Sequence, residues 1–424
     1  MSDDLRTRMH HVADEVTPLP VSDDLWRRGQ AARRRAQALA VAAVLVVFAS
    51  VGGGVAMWST SDREARTASG EVPDAGAIPS RIEDVPDDLE VTTDLAVGRA
   101  SAAFVSASGD AVVITATDGV AHRMGLPGWD QTLTGLALSH NGRTIAYQDG
   151  SPESGTYLTL VDLETGRSVR AFSDDSQRLQ LSELSWSPDG RWLAWIATTQ
   201  DGLQALLGRV LVADGRPLQV RVPSDTVSVA VADDGSALVG RVAGELLLAE
   251  PDRTPVSVHS RPRIEAGAFS PDGRHVALRT FADTSSYTWD ADAGELLQHP
   301  FPEDTFEAVD IHPLGWIDHR LQVLLVQNLR GGAGELVVTT TTVSDTSTWR
   351  RSVGRVDADI ATSLSLAVDL VPDLDGTSSQ ELTHDFGDGP PTPLGIELSL
   401  FIGLGVAAAI ALLLALRWLW RRFA

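Results

Sequence analysis

Short apolar runs separated by turns fill most of the chain between residues 91 and 371. In SWSPDGRWLAW (185–195) and FSPDGRHVAL (269–278), two such runs flank a Pro-Asp-Gly turn. Glycine accepts the positive φ of a tight hairpin and aspartate caps the turn with its side chain, so each segment predicts an antiparallel hairpin. Related segments place turn glycines 33 to 48 residues apart, at Gly109, Gly142, Gly190, Gly235, Gly273 and Gly315.

A second turn follows the first after 21 to 25 residues, at Gly166, Gly215 and Gly294. Each unit therefore holds two hairpins, or four strands, which is the content of one propeller blade. A β-sandwich also has short strands and turns, but it does not repeat one turn motif at this interval. The pattern predicts an all-β fold, a β-propeller with six blades, or seven if residues 320–371 hold another.

The hairpin motifs resemble the repeats of WD-like and TolB-type β-propellers. Besides the two Pro-Asp-Gly segments, TWDADAG (288–294) resembles the Trp-Asp strand end of WD repeats. The resemblance covers roughly residues 91–371 and implies a propeller domain there. The favoured hypothesis for its function is a non-enzymatic binding or sensing module for a protein, peptide or envelope ligand.

Closure of the ring needs a strand from the end of the domain, because the first unit lacks its opening strand. The run ATSLSLAVDLV (361–371) is predicted to pair with residues 95–116 and to supply it. The polar segments 59–90 and 372–396 read as linkers. Ring closure would bring them out close together.

Two long apolar runs predict membrane spans. Residues 38–58 and 398–416 contain no charged residue, and helices of 21 and 19 residues cover roughly the 30 Å hydrocarbon core. The predicted organisation places transmembrane helices at 37–58 and 397–419. A cleaved signal peptide is the alternative for the first run. The 36 residues before it and its length beyond the usual 7–15 apolar residues favour an uncleaved anchor.

Arginines beside the two runs predict the orientation. They precede the first run and follow the second, at Arg33, Arg34, Arg35, Arg417, Arg421 and Arg422. By the positive-inside rule, the tail 1–36 and the end 420–424 are cytoplasmic and the propeller lies outside the plasma membrane. The outer segment 59–397 carries 24 arginines against 51 acidic residues, and the whole chain has a net charge of -23. This charge argues against a nucleic-acid partner and leaves the lipid bilayer as the first partner.

Composition removes several kinds of chemistry. The chain has no cysteine and no lysine, which excludes disulfides, thiolate metal sites, cysteine nucleophiles and Schiff-base lysines. No His-Glu-x-x-His or Gly-x-Ser-x-Gly motif occurs, so we expect no metal, no cofactor and no enzymatic activity. A propeller-based hydrolase or lyase stays open. It requires carboxylates or histidines that converge at one mouth of the channel.

Two groups of residues are candidates for binding. Loops gather at the ends of a propeller channel, which predicts a ligand site formed by Trp186, Trp316, His312 and His319. In the cytoplasmic tail, one helical stripe predicts a docking surface for a protein partner, formed by Leu5, Met9, Val12 and Val16. The tail resembles those of actinobacterial membrane proteins associated with sigma factors. That resemblance implies an anti-sigma-like regulator as an alternative function.

Overall fold

A computed structural model describes most of the chain between residues 71 and 387. The described residues are 71–130, 135–150, 156–174, 179–199, 202–251, 253–300, 309–328, 332–340, 349–375, 377, 379–387, 417 and 421. The predicted first span, the predicted second span apart from Arg417, and the apolar stripe of the tail lie outside the described residues. Within the described residues, no helix has the length and apolar character needed to cross a bilayer. The fold reported below is that of the compact unit Thr67–Gly389.

The first strands form a sheet that takes its inner edge from the far end of the domain. Strand β1 (Arg81–Ile82) comes before it in the chain and belongs to another sheet. The sheet contains, in chain order, β2 (Val91–Thr92), β3 (Ala100–Val105), β4 (Ala111–Thr115) and β5 (Ala121–Met124). Strands β3, β4 and β5 form an antiparallel meander. Strand β2 pairs in parallel with β5 at the outer edge.

Three separate four-stranded antiparallel meanders follow. The first contains β6 (Leu136–Leu138), β7 (Thr144–Asp149), β8 (Thr156–Asp162) and β9 (Ser168–Asp174). The second contains β10 (Leu179–Trp186), β11 (Trp192–Thr199), β12 (Ala205–Leu211) and β13 (Pro217–Val222). The third contains β14 (Thr226–Val231), β15 (Ala237–Arg241), β16 (Glu245–Ala249) and β17 (Val256–Ser260).

The next two meanders are joined into one larger sheet. The earlier contains β18 (Ile264–Phe269), β19 (His275–Asp283), β20 (Ser285–Asp290) and β21 (Glu295–Pro300). The later contains β22 (Val309–Trp316), β23 (Leu321–Asn328), β24 (Gly334–Thr340) and β25 (Arg350–Val356). They are linked because β19 also pairs with β22, at Thr280↔Ile311 and Asp283↔Val309.

The predicted closing strand is confirmed. Strand β26 (Ser365–Leu366) lies between two 3-10 helices, Ala361–Ser363 and Val368–Leu370. It pairs antiparallel with β3, at Ser365↔Ala103 and Leu366↔Ala102. The end of the domain therefore completes the sheet with which the domain begins.

The meanders are arranged as a β-propeller. The first strand of each meander contacts the first strand of the next, in the order β6, β10, β14, β18 and β22. Strand β22 contacts β26, and β26 contacts β6, which returns the series to its start. This closed succession leaves a common axis and protects the inner strand edges. A two-layer sandwich has no such axis.

The repeated turns have the predicted glycine geometry at all but one position. At Gly109, Gly142, Gly190, Gly235 and Gly273, φ lies between 69° and 86°. The turn glycine N–H donates to the carbonyl three residues earlier, as from Gly190 to Ser187 at 2.9 Å. The second set is also confirmed, with φ of 62° to 70° at Gly166, Gly215 and Gly294.

Gly315 is not a turn glycine, and the prediction for it is wrong. It lies inside β22 directly after an irregularity in the pairing with β23. A Cβ at this position would approach the methyl groups of Val368 to 2.9–3.0 Å. The turn itself lies a few residues later, where the Asp318 carboxylate accepts the N–H groups of Arg320 and Leu321.

The segments predicted as linkers contribute to the packed unit where the structure describes them. Strand β1 pairs in parallel with β25, and Ile78 and Ile82 are buried. Beyond the closing strand, the His384 N–H donates to the Ile78 carbonyl, and the Ser80 N–H donates to that of His384, both at 2.8 Å. The apolar residues in these polar segments were too widely spaced to indicate strands. The expected proximity of the two segments is confirmed.

Candidate functional site

A cavity of about 340 Å³ lies on the axis of the propeller. Residues from the first strands of the five four-stranded meanders line it, together with β26 and the segment that leads into it. The lining residues are 135–138, 140, 182–186, 229, 267–268, 312–314 and 362–365. A cavity bounded by all inner strands is the central channel, where propellers and barrels enclose ligand sites.

Irregular strand pairing helps to shape the channel wall. In β10, β18 and β22, the register with the following strand skips one residue, at Ser182, Gly267 and Leu314 respectively. All three of these residues line the cavity. A bulge bends its strand and turns side chains away from the regular pleat, and bulges are enriched beside active sites. The bulges therefore give the channel an irregular wall.

Glu183 is the acidic residue that lines the cavity within the described part of the chain. It lies in β10 beside the bulge, opposite Ile196 of β11, and is half-buried. Loss of hydration raises the pKa of its carboxyl to about 7; the positive charge of Arg279 opposes this rise and the negative charge of Glu265 adds to it. At neutral pH the carboxyl is therefore poised between its charged and uncharged forms.

A second acidic residue and an arginine lie outside the lining, in the meander that begins with β18. Glu265 of β18 lies directly opposite Arg279 of β19 in the antiparallel register. Burial raises the pKa of Glu265, and the guanidinium of Arg279 opposes that rise. The Arg279 guanidinium also lies 4.9 Å from the centre of the Phe281 ring. Opposite charges on adjacent strands attract each other, so part of the effect of Arg279 falls on Glu265.

Two histidines line the cavity in their neutral form. Burial, together with the positive charge of Arg279, lowers the pKa of His312 to about 3. Burial also lowers the pKa of His140, against the opposing charge of Asp369. Among the described residues, Nδ1 of His312 has no hydrogen-bond partner, and this nitrogen is itself buried.

The structure separates the two predicted tryptophans from each other. Both are buried at the end of an inner strand, and each indole donates to the preceding inner strand. Nε1 of Trp186 lies 3.2 Å from the carbonyl of Ala137, and Nε1 of Trp316 lies 2.9 Å from that of Ala268. Trp186 also lines the cavity, whereas Trp316 does not. Their shared role is to join neighbouring sheets.

The two predicted histidines are not brought together. His312 lies within β22 and faces the cavity, whereas His319 is exposed in the turn after that strand. The tail residues and Arg33, Arg34, Arg35 and Arg422 lie outside the described residues. Arg417 and Arg421 are helical and exposed. The tail helix and its protein partner therefore stay predictions.

Sequence reasoning missed Glu183, Glu265 and Arg279. Glu183 lies three residues before the end of its inner strand. The residues at the equivalent position in the other four-stranded meanders are small or apolar: Gly135, Ser228, Ala266 and Pro313. A charged residue at a repeat position that is otherwise small or apolar was the available signal. The described residues also contain no group of three side chains suited to hold a metal ion.

Comparisons with known proteins give the fold a context. No protein-family model matches the chain, and no curated protein matches it. Among solved structures, TolB from Acinetobacter baumannii is 16% identical, with 63% of this chain and 68% of that chain covered and a TM-score of 0.40. An oligogalacturonate lyase in complex with manganese is 13% identical, with coverages of 64% and 85% and a TM-score of 0.42.

A third solved structure is the β-propeller domain of the Trilobed protease from Pyrococcus furiosus. It is 11% identical, with 57% of this chain and 74% of that chain covered and a TM-score of 0.40. Similarities at this level assign neither a ligand nor a residue role to this chain. The propeller fold follows from the strand pairing described above.

Proposed function

We propose that this chain is a membrane-anchored, six-bladed β-propeller that binds a small ligand in its central channel and works as a binding or sensing module. The observation that carries the proposal is the axial cavity itself. It is lined by the first strands of the five four-stranded meanders and by β26, and it contains one carboxyl group, that of Glu183, among small and apolar residues. Polar groups that are removed from bulk water are normally paired, so the partner of this carboxyl is expected to be a bound molecule.

The blade count is supported by the succession of inner strands. Strands β6, β10, β14, β18 and β22 each open a four-stranded meander, and β26 serves as the inner strand of the sheet that contains β3, β4 and β5. Counted in this way, the ring has six blades. The pairing of β19 with β22 then represents a contact between the inner parts of two neighbouring blades.

Membrane anchoring is supported by the two uncharged runs at 38–58 and 398–416 and by their arginine flanks. The two chain segments that lead toward these runs pair with each other, with Pro79 beside His384 in a parallel bridge. A reporter enzyme fused after Ala424 is expected to be active in the cytoplasm. Activity outside the cell would reverse the proposed orientation.

The channel site is tested with three small probes of similar shape and different charge: phenethylamine, phenethyl alcohol and phenylacetate. Ser182→Phe places a ring in the cavity from the bulge of β10. Ser352→Phe makes the same change at an exposed position of the outer strand β25 and is the matched control. Calorimetry on the full chain in detergent micelles is expected to detect at least one probe with the wild type and Ser352→Phe. Binding should be lost in Ser182→Phe.

Equal binding by Ser182→Phe and the wild type would show that the channel is not the site. The absence of binding by all three probes would contradict the proposed function.

A second candidate function is a hydrolase or lyase that acts in the same channel. It is favoured by one observation: a carboxyl with a pKa near neutrality and an imidazole line one cavity. A general base needs a group that orients its ring, and Nδ1 of His312 has no such partner within the described residues. If Glu183→Gln abolishes turnover of a bound molecule while its affinity is kept, the enzymatic function is the correct one.

A further inference from the structure

The charge of the cavity lining is that of one carboxyl group. Of the described residues that line the cavity, the ionisable ones are Glu183, His140 and His312. Both histidines are held neutral, because burial lowers the pKa of each. The lining therefore carries one negative charge when Glu183 is ionised and none when it is protonated.

The nearby arginine does not cancel this charge completely. Arg279 lies outside the lining and is directly opposite Glu265 in the antiparallel register. Its guanidinium is shared among Glu265, Glu183 and the ring of Phe281. If Arg279 fully paired with Glu183, the pKa of that carboxyl would be lowered, but it is raised. The ionised form of Glu183 is thus left short of a positive partner.

The rest of the lining offers no positive charge to the carboxylate. Both histidines are neutral, and Arg279 lies outside the lining. A bound cation would supply the positive charge that the ionised form of Glu183 lacks.

We infer that the channel binds a small organic monocation whose single ammonium group donates hydrogen bonds to the Glu183 carboxylate, the ionised group of the cavity lining. The inference rests on the proposed function of the channel as a ligand site. The rest of the molecule lies against the apolar part of the lining, which includes Leu184, Trp186 and Pro313. A volume of about 340 Å³ is at the lower end of the range for small-molecule pockets, so the ligand is of metabolite size.

Binding of this cation is coupled to a proton. When Glu183 is protonated, the arriving ammonium group displaces its proton to solvent and leaves a carboxylate–ammonium pair. Other charged and titratable groups around the channel are Arg279, Glu265, His312 and His140; burial raises the pKa of Glu265 and lowers that of both histidines. Affinity for the cation should therefore rise with pH while Glu183 is protonated, by up to tenfold per pH unit, and level off once Glu183 is ionised.

Calorimetry on the full chain in detergent micelles tests the inference with phenethylamine, phenethyl alcohol and phenylacetate. Phenethylamine, which is cationic, is expected to bind at least tenfold more tightly than the other two at pH 7.5. Titrations in buffers of different ionisation enthalpy should show proton release at pH 6 and little at pH 8.5.

Two variants separate the role of Glu183 from a general effect of charge. Glu183→Gln should lose at least tenfold in phenethylamine affinity and should lose the pH dependence. Glu164→Gln, on an exposed turn beside Arg143, removes one carboxylate far from the channel and should bind as the wild type does. Circular dichroism of both variants checks that the sheets are intact.

The outcomes distinguish this inference from the proposed function. If phenethyl alcohol or phenylacetate binds as tightly as phenethylamine and Ser182→Phe removes that binding, the channel is a ligand site but not a cation site. The same conclusion follows if Glu183→Gln binds phenethylamine with unchanged affinity. If no probe of any charge binds, both the inference and the proposed function are overturned.

Discussion

Strand β10 and its neighbours serve two regions of opposite character. On one side, the Trp195 ring is fully buried, lies across Gly208 of the adjacent strand and packs 5.2 Å from the Phe172 ring of the preceding meander. On the other side, Glu183 and Trp186 line a cavity of about 340 Å³. The first region has no room for one added methyl group, and the second has room for a small molecule.

This difference teaches that the cavity does not result from poor packing in this part of the fold. The same meander that leaves the channel open fills the interface between sheets completely, and protein interiors are normally close-packed. Nε1 of Trp195 has no hydrogen-bond partner within the described residues, so packing alone fixes that ring. The side chain of Glu183, in contrast, lines an open cavity.

The largest expected effect on stability is at the filled interface, where Trp195 lies across Gly208. Gly208→Ala places a Cβ inside the volume of the Trp195 indole, which cannot move away because it is fully buried. We expect a loss of about 3 kcal/mol in the free energy of unfolding, the upper part of the usual range for overpacking. Denaturant melts of the full chain in micelles, followed by circular dichroism, measure the change.

Gly135→Ala is the matched control for that substitution. It adds the same methyl group at the edge of the channel, where the nearest atom is Cδ1 of Leu184 at 3.6 Å. Its effect should be below about 1 kcal/mol, since no neighbouring atom must move. Equal losses in the two variants would mean that the contrast between the filled and the open region is not real.

The repeated features of the fold could be predicted from the sequence because their physics is local. The turn at Gly190 needs a residue that accepts positive φ and a side chain that caps the turn, and both requirements are visible within four letters. The closing strand was also predictable, because the first unit lacked a strand and the run at 361–371 was apolar. Gly315 was misassigned because its turn motif is degenerate and the real turn uses Asp318 instead.

The candidate site could be predicted only in part. Trp186 and His312 were candidates as an aromatic and a titratable residue near strand ends, and both line the cavity. The relation between Glu183 and Arg279 could not be read from the sequence, because the two residues belong to sheets that are not consecutive and meet through the axis. Long-range placement of this kind depends on ring closure and bulge positions, which no local pattern encodes.

The next largest effect on stability is expected at the turn of Gly190, where a substitution would strain the backbone without a steric clash. Gly190 has φ of 69°, and a Cβ there would find no atom closer than Nδ2 of Asn141 at 3.9 Å. Gly190→Val should therefore cost about 2 kcal/mol through backbone strain alone. Gly190→Asn should cost less, because asparagine tolerates the left-handed region. If valine and asparagine melt alike, then strain at this turn is not what the glycine relieves.

The smallest expected effect on stability is at Glu183 in the channel. Unlike the effect at the filled interface, it depends on pH. The pKa of Glu183 is raised from 4.5 to about 7 in the folded chain, chiefly by burial. Its contribution to stability is fully present below pH 4.5 and is lost as the pH rises through 7, because the folded state then has to ionise a poorly hydrated carboxyl. Replacement by glutamine removes this loss. Relative to the wild type, Glu183→Gln should gain about 1 kcal/mol between pH 4.5 and pH 8, a value reduced from the full shift because the channel admits water.

The difference in stability between Glu183→Gln and the wild type isolates the contribution of Glu183 from those of the other groups that titrate in this range. The lowered pKa values of His312 and His299 act in the opposite direction, since their contributions are present above pH 6.5 and are lost toward acid. The two histidines are present in both the wild type and Glu183→Gln, so their contributions cancel in the stability difference between these two proteins. Glu164→Gln, on its exposed turn, is the control for the loss of one carboxylate. If the stability difference between Glu183→Gln and the wild type changes with pH no more than the difference between Glu164→Gln and the wild type, the Glu183 carboxyl is hydrated like a carboxyl on the molecular surface.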